Sequence, residues 1–234
     1  MKGLSDYTSF EEQYLALRRK EGRLYSDEEL AFLPSIRATH PLKKEWNLRK
    51  ESCRRLITYL RRKNKQLSVM EVGCGNGWFC HQLSKIPEFS VTGVDINKTE
   101  LEQAKRVFPS LRFLYQNLTD TLLQERFDII VFAASFQYFS SPAAIVPGCF
   151  DMLKEGGEIH ILDTHFYADK EAMAAAERSR AYFAEMDCPE LRPFYFHHTL
   201  QSLQGYNYQL LYNPRSLFNY LFFHSPFPWI RIKP

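Results

Sequence analysis

From about residue 68 the chain alternates short apolar runs with helix-length amphipathic segments, the pattern of a parallel sheet joined by crossover helices and covered on both faces. The runs predict strands at Ser68–Val72, Val91–Val94, Arg112–Tyr115, Asp128–Phe132 and Glu158–Leu162. Helices fill the gaps at about 77–86, 97–107 and 142–154. The expected architecture is a doubly wound α/β fold. A further helix, about 169–187, is rich in alanine, and strand-like runs follow at Tyr206–Tyr212 and Trp229–Ile232. The first third reads as helical. Ser9-x-x-Glu12 and Ser26-x-x-Glu29 have the spacing of capping boxes, and Gly22 and Pro34 mark stops. A longer helix begins near Pro41, with Trp46, Cys53, Leu56, Ile57 and Leu60 on one face up to about Lys63. The expected division is a helical extension or lid over residues 1–65 and an α/β domain over 66–234.

Composition narrows the class without changing the picture. The 234 residues carry 30 Lys plus Arg against 27 Asp plus Glu, a net charge of +3, with 45% apolar and 24% charged residues. One α/β domain is the default at that length. No run approaches the roughly 18 uncharged apolar residues of a membrane span, and the start lacks the apolar stretch of a secretory signal. A cytoplasmic protein with no membrane partner is expected. The five cysteines, Cys53, Cys74, Cys80, Cys149 and Cys188, are widely spaced with no C-x-x-C pair, so they read as buried apolar residues and not as a disulfide or metal framework. The basic clusters Arg18-Arg19-Lys20 and Arg61-Arg62-Lys63 fall on helical stretches where a solvated face accounts for them, and a nucleic-acid partner is not expected.

The informative segment is Met70-Glu71-Val72-Gly73-Cys74-Gly75-Asn76-Gly77-Trp78. Three glycines at alternate positions after an apolar strand let the backbone turn tightly and approach a ligand without an intervening Cβ. Eighteen residues beyond Gly77 the next strand ends in Asp95, where a carboxylate can accept both hydroxyl protons of a ribose. A dinucleotide loop would read G-x-G-x-x-G, yet Trp78 stands where its third glycine belongs and Glu71 replaces the usual apolar residue. An acid, then G-x-G-x-G, then an acid ending the second strand resembles the class I S-adenosylmethionine-dependent methyltransferases. The resemblance extends to Phe127–Phe132 as the fourth strand and to Leu153-Lys154-Glu155-Gly156-Gly157-Glu158 as the turn into the fifth.

The resemblance implies a seven-stranded, mostly parallel sheet of Rossmann-like kind, its sixth strand at Tyr206–Tyr212 and its antiparallel seventh at Trp229–Ile232. It implies S-adenosylmethionine as donor, S-adenosylhomocysteine as product, and direct displacement with no covalent intermediate. Glu71, Gly73, Gly75 and Gly77 would surround the methionine portion, with Cys74 and Asn76 in the motif's variable positions. Asp95, with Ile96 beside it, would hold the ribose, and Gln116 or Asn117 the adenine. Trp46 and Arg49 lie on a helix that would cover the donor, Arg49 pairing with its carboxylate.

The acceptor would enter over Ser135–Tyr138 and Asp163–Tyr167. His165 is the candidate general base and Tyr138 a residue that would orient the acceptor. His160 alternates within a strand and reads as structural, and the pair His197-His198 does not read as a metal site. No Asn-Pro-Pro-Tyr motif of amino-group methylation is present, and no Pro-Cys nucleophile. Aromatic residues from Phe194 to Trp229 suit a core, a homodimer contact or an acceptor pocket. The expected function is methyl transfer to a small molecule, at oxygen. The alternatives are an RNA or protein acceptor, or a regulatory protein that binds the donor without turnover.

Overall fold

The computed structural model describes residues 4–217, 219 and 225–234, with side-chain surroundings from Phe10 onward. Phe222, Phe223 and His224 lie outside the described residues. Five apolar runs form the parallel part of one sheet: β1 (Leu67–Val72), β2 (Phe89–Asp95), β3 (Arg112–Tyr115), β4 (Phe127–Ala133) and β5 (Leu153–Leu162). β6 (Phe166–Tyr167) and β7 (His198–Thr199) pair apart from it, and β8 (Asn207–Tyr212) and β9 (Trp229–Lys233) complete it. The order is β3-β2-β1-β4-β5-β9-β8, with β9 antiparallel to both neighbours. The chain winds outward in opposite directions from β1 and β4, which opens a crevice at their carboxyl ends.

Burial on both faces explains the near-continuous apolar strands. Val69, Ile129 and Val131 meet Leu56 and Leu60 of α3 (Lys43–Arg61), Phe79 and Leu83 of α4 (Trp78–Ser84), and Leu101 and Ala104 of α5 (Lys98–Val107). Met70, Ile130 and Phe132, one residue out of step, face Ile145, Val146 and Cys149 of α6 (Pro142–Asp151). Leu56 and Leu60 are fully buried, worth about 1.5–3 kcal/mol each, so α3 is bound into the same core.

The N-terminal elements are α1 (Leu4–Lys20) and α2 (Asp27–Phe32); α7 (Asp169–Glu185) follows β6. Ser26 and Glu29 form the expected capping box, with Glu29 N donating to Ser26 Oγ at 3.2 Å and Ser26 N to Glu29 Oε2 at 2.9 Å. The similar spacing at Ser9 starts nothing, because α1 already runs from Leu4. β5 begins at Leu153, before the expected Glu158, because Leu153 already pairs with Phe127 and an irregular stretch through the glycines precedes the next pair, Ile129 with Glu158. That early pairing also ends α6 at Asp151.

α1 crosses the carboxyl end of the sheet. Phe10 and Leu17 pack with Phe183, Cys188 and Leu191. Glu11 Oε1 accepts from Thr99 N and Oγ1, both at 3.0 Å, at the start of α5, and Lys20 Nζ donates to Met186 O at 2.7 Å. Among the described residues no helix is long and apolar enough to cross a membrane.

Candidate active site

Where β1 ends, the peptide N–H groups of Gly73 and Cys74 both donate to Val94 O, at 2.8 and 3.1 Å, folding the loop over the end of β2. Gly73 has φ 73, and a Cβ there would lie 2.4 Å from Ser135 Cβ. Ser135 cannot retreat, since its Oγ donates to Val72 O at 2.5 Å. Only glycine fits, and bare backbone faces the crevice. Gly77 has a different task. It opens α4 with φ 77, and a Cβ would strike the Phe113 ring at 2.6 Å, so this glycine lets helix and sheet pack and lines no cavity.

Two cavities meet at the loop. The larger, about 350 Å³, has Asp95, Ile96, Gln116, Asn117 and Leu118 at one end and Phe10, Tyr14, Tyr138, Phe194 and Phe196 at the other. The smaller, about 90 Å³, is lined by Trp46, Arg49, Glu71, Cys74 and Asn76 together with Arg18, Arg23 and Tyr25. Tyr14, Gly73, Gly75, Glu100 and Ala134 border both. Every residue expected at the cofactor therefore faces one cavity or the other, except Gly77.

Asp95 ends β2 with Oδ2 accepting from Gly75 N at 2.6 Å and Oδ1 from Asn97 N at 2.8 Å. Burial raises its pKa against those backbone donors. In the small chamber Trp46 Nε1 donates to Tyr25 OH at 2.7 Å, and its ring meets Trp78 edge-on, centroids 5.0 Å apart. Arg49 Nε donates to Glu45 Oε1 at 2.9 Å, and Arg23 reaches both Glu45 oxygens at 2.5 and 2.6 Å. Burial works against ionisation of Glu45, yet the two arginines hold it down to about 2. Glu71 is the opposite case. It is buried with no cation paired to it among the described residues; Cys80 alone faces it, its thiol donating at 2.9 Å and its backbone N–H adding to that, and burial pushes it up to about 8. Burial, then the neighbouring Asp95, push Glu100 up to about 7, and no described side chain donates to its carboxylate. Burial also pushes the Cys74 thiol to about 12, leaving it inert.

Tyr138 stands in the larger cavity with its hydroxyl accepting from Arg18 Nη2 at 3.2 Å and its ring against Phe10, Tyr14 and Tyr195. His165 is elsewhere. β5 ends in a left-handed turn at Asp163, φ 52, and the residues after it join β6. His165 packs on Phe227 and Tyr167, centroids 4.6 and 5.4 Å away, in a separate depression with Lys170, Arg178 and Arg215. His160 is a fully buried strand residue whose Nδ1 accepts from Trp229 Nε1 at 3.1 Å. Sequence reasoning missed Phe10, Tyr14, Arg18 and Glu100. The spacing Phe10, Tyr14, Leu17 marks one helical face; Glu100 leaves no signal beyond its place one turn into α5.

Residues 69–157 match a family model described as a methyltransferase domain. The malonyl-[acyl-carrier protein] O-methyltransferase of Priestia megaterium is 26% identical over 99 residues, 41% of this chain and 36% of that protein. The ubiquinone biosynthesis O-methyltransferase of Nitrosococcus oceani is 30% identical over 97 residues, 39% of this chain and 41% of that one. The chain thus spans about two fifths of the length of these curated relatives. Among solved structures, the plantazolicin methyltransferase BpumL, in complex with a triazolic desmethylPZN analog and SAH, superposes with a TM-score of 0.60 at 16% identity over 98% of each chain. The YcgJ protein from Bacillus subtilis gives 0.58 at 19% identity, over 70% of this chain and 71% of that one. These likenesses establish the fold.

Proposed function

We propose, from the premise that this chain carries a class I S-adenosylmethionine-dependent methyltransferase domain, that it transfers a methyl group from S-adenosylmethionine to a small-molecule acceptor at oxygen. The observation that carries this reading is the junction at Gly73 and Gly75: one cavity offers a ribose carboxylate and adenine-side amides, the other an arginine, and bare backbone connects them. A ligand with a nucleoside at one end and an amino acid at the other fits that pair, and the closed space beside Gly73 explains why no side chain intrudes. When bound, S-adenosylmethionine supplies a methyl group already made electrophilic by its sulfonium.

The protein's part is then alignment and exclusion of water, worth several kcal/mol of barrier. Asp95 would hold the ribose hydroxyls, Gln116 and Asn117 the adenine edge, and Arg49 the donor's carboxylate beneath Trp46. The helices of residues 1–65, through Phe10, Tyr14 and Arg18, would form the lid over both cavities. Tyr138, fixed by Arg18, would orient the acceptor against the aromatic wall of Phe10, Phe194 and Phe196. Glu100 stands where the cavities meet with its pKa near neutrality, which suits it to take the acceptor's proton in place of His165. An oxygen acceptor agrees with the names of the relatives matched over the donor-binding half.

The test is incubation of the purified chain with methyl-labelled donor and fractionated small metabolites. Label should pass to a compound of low mass and leave as a methyl ether or ester. Label appearing only in RNA or protein, or in nothing despite donor binding, would refute the reading.

A further inference from the structure

β5 ends on a carboxylate that the reading above leaves unused. Asp163 is buried in the left-handed region, φ 52, a conformation that strains a non-glycine residue. Its Oδ1 accepts from Ser52 Oγ at 2.6 Å, while Oδ2 is sealed from solvent and accepts nothing among the described residues. A buried oxygen without a donor carries its full desolvation cost uncompensated. A strained, half-satisfied acid at the head of a strand beside the crevice points to a donor that arrives in another state.

That donor stands one turn away. Ser52 follows Arg49 by three residues on α3, so the two share a helix face. Arg49 uses Nε on Glu45, but its two terminal nitrogens donate to no described residue, and it edges the small chamber beside Glu71 and Gly73. Its guanidinium carbon lies 5.5 Å from the Trp46 ring centre, which restrains the head without fixing its rotation. Of the charged groups around Asp163, Glu45 opposes its ionisation, and Arg49 and Arg55 favour it, Arg49 most strongly; against the larger effect of burial, its pKa stands at about 6.

We propose that Asp163 is the positioning residue for Arg49: its free Oδ2 takes a terminal N–H of the guanidinium and turns the opposite edge into the small chamber, where it clamps an α-amino-acid carboxylate. The proposal rests on the reading that this chamber receives the donor's amino-acid end. Glu45 on Nε and Asp163 on a terminal nitrogen then fix the guanidinium plane, and two parallel N–H groups remain for a bidentate carboxylate. Ser52 holds Asp163 in register.

The experiment compares two thioether nucleosides by calorimetry on the full chain: S-adenosylhomocysteine, which has the amino-acid end, and 5′-methylthioadenosine, which lacks it. Asp163→Asn keeps a partner for Ser52 but loses the charge, and should weaken S-adenosylhomocysteine about tenfold while leaving methylthioadenosine within twofold. Arg49→Met should reduce the same preference about a hundredfold. If Arg49→Met leaves the preference intact, the reading of the chamber fails. If Arg49→Met removes it and Asp163→Asn does not, the chamber reading stands and the role of Asp163 is overturned. Should Asp163→Asn not fold, Ser52→Ala, which removes the hydroxyl that holds Asp163 in register, decides on the wild-type background: a several-fold fall in the preference supports the proposal, and an unchanged preference overturns it.

Discussion

Glu158, in β5, and Glu71, in β1, are glutamates almost completely buried in one sheet, at 1% and 2% exposure, yet they behave oppositely. Glu158 is surrounded by donors: Lys63 Nζ at 2.9 Å, Tyr59 OH at 3.0 and 3.2 Å, Lys233 Nζ at 3.2 Å, His160 Nε2 at 3.3 Å and Arg231 Nη1 at 3.6 Å. Burial alone would raise its pKa, but these partners hold it far below the usual carboxylate range. Glu71 has only the thiol and backbone N–H of Cys80, no cation, and is pushed up to about 8. The surplus of cations at Glu158 ties α3 and β9 to β5. The shortage at Glu71, repeated at Glu100 and Asp163, leaves acids around the cavities poised for partners the bare fold does not supply.

Identical substitutions should separate the two regions. Glu158→Gln leaves the partly exposed Lys63, Arg231 and Lys233 without their counter-charge and should lower the unfolding free energy by about 2 kcal/mol in urea titrations at pH 7. Glu71→Gln replaces an acid already protonated at that pH and should change stability by under about 1 kcal/mol. Equal losses would dissolve the contrast. Next in size is the donor affinity of Asp95→Ala, expected to fall by roughly 1.5–3 kcal/mol in calorimetry, the scale for removing a charged hydrogen-bond partner.

The pH dependence sharpens the contrast further. Because Glu71 keeps in the fold a proton that the unfolded chain loses near pH 4.5, its contribution to stability declines as pH rises toward 8. Glu158 has the reverse sign: its contribution is present above the unfolded value and lost as pH falls. Melting curves of Glu71→Gln should therefore decline less between pH 5 and 8 than those of the wild type; an identical decline would place the proton elsewhere. Smaller effects follow at the acceptor end. Tyr138→Phe should raise the acceptor KM roughly two- to tenfold, the equivalent of about 0.5–1.5 kcal/mol, with donor affinity unchanged. His165→Ala, outside both cavities, should leave turnover within about twofold, and a tenfold loss would return it to the chemistry.

Much of this was legible in the chain. The β1 loop and Asp95 act locally, so spacing along the sequence reports their geometry directly, and apolar runs located the parallel strands because those strands are covered on both faces. What escaped depends on contacts between distant segments. The cavity faces of Phe10, Tyr14 and Arg18 exist only because α1 lies across the sheet. The placement of His165 turned on the left-handed residue at Asp163, which a sequence without glycine there does not announce. Gly77 carried the right motif but serves helix packing against Phe113. The pairing of Ser52 with Asp163, 111 residues apart, has no sequence signature at all.

The central claim is that the cavities on either side of Gly73 and Gly75 receive the nucleoside and amino-acid halves of one ligand. A crystal structure with S-adenosylhomocysteine tests it most directly. The account predicts ribose hydroxyls on Asp95, adenine beside Gln116 and Asn117, and the α-carboxylate in the chamber with Arg49. A ligand bound with its halves exchanged, or bound outside both cavities, would contradict it.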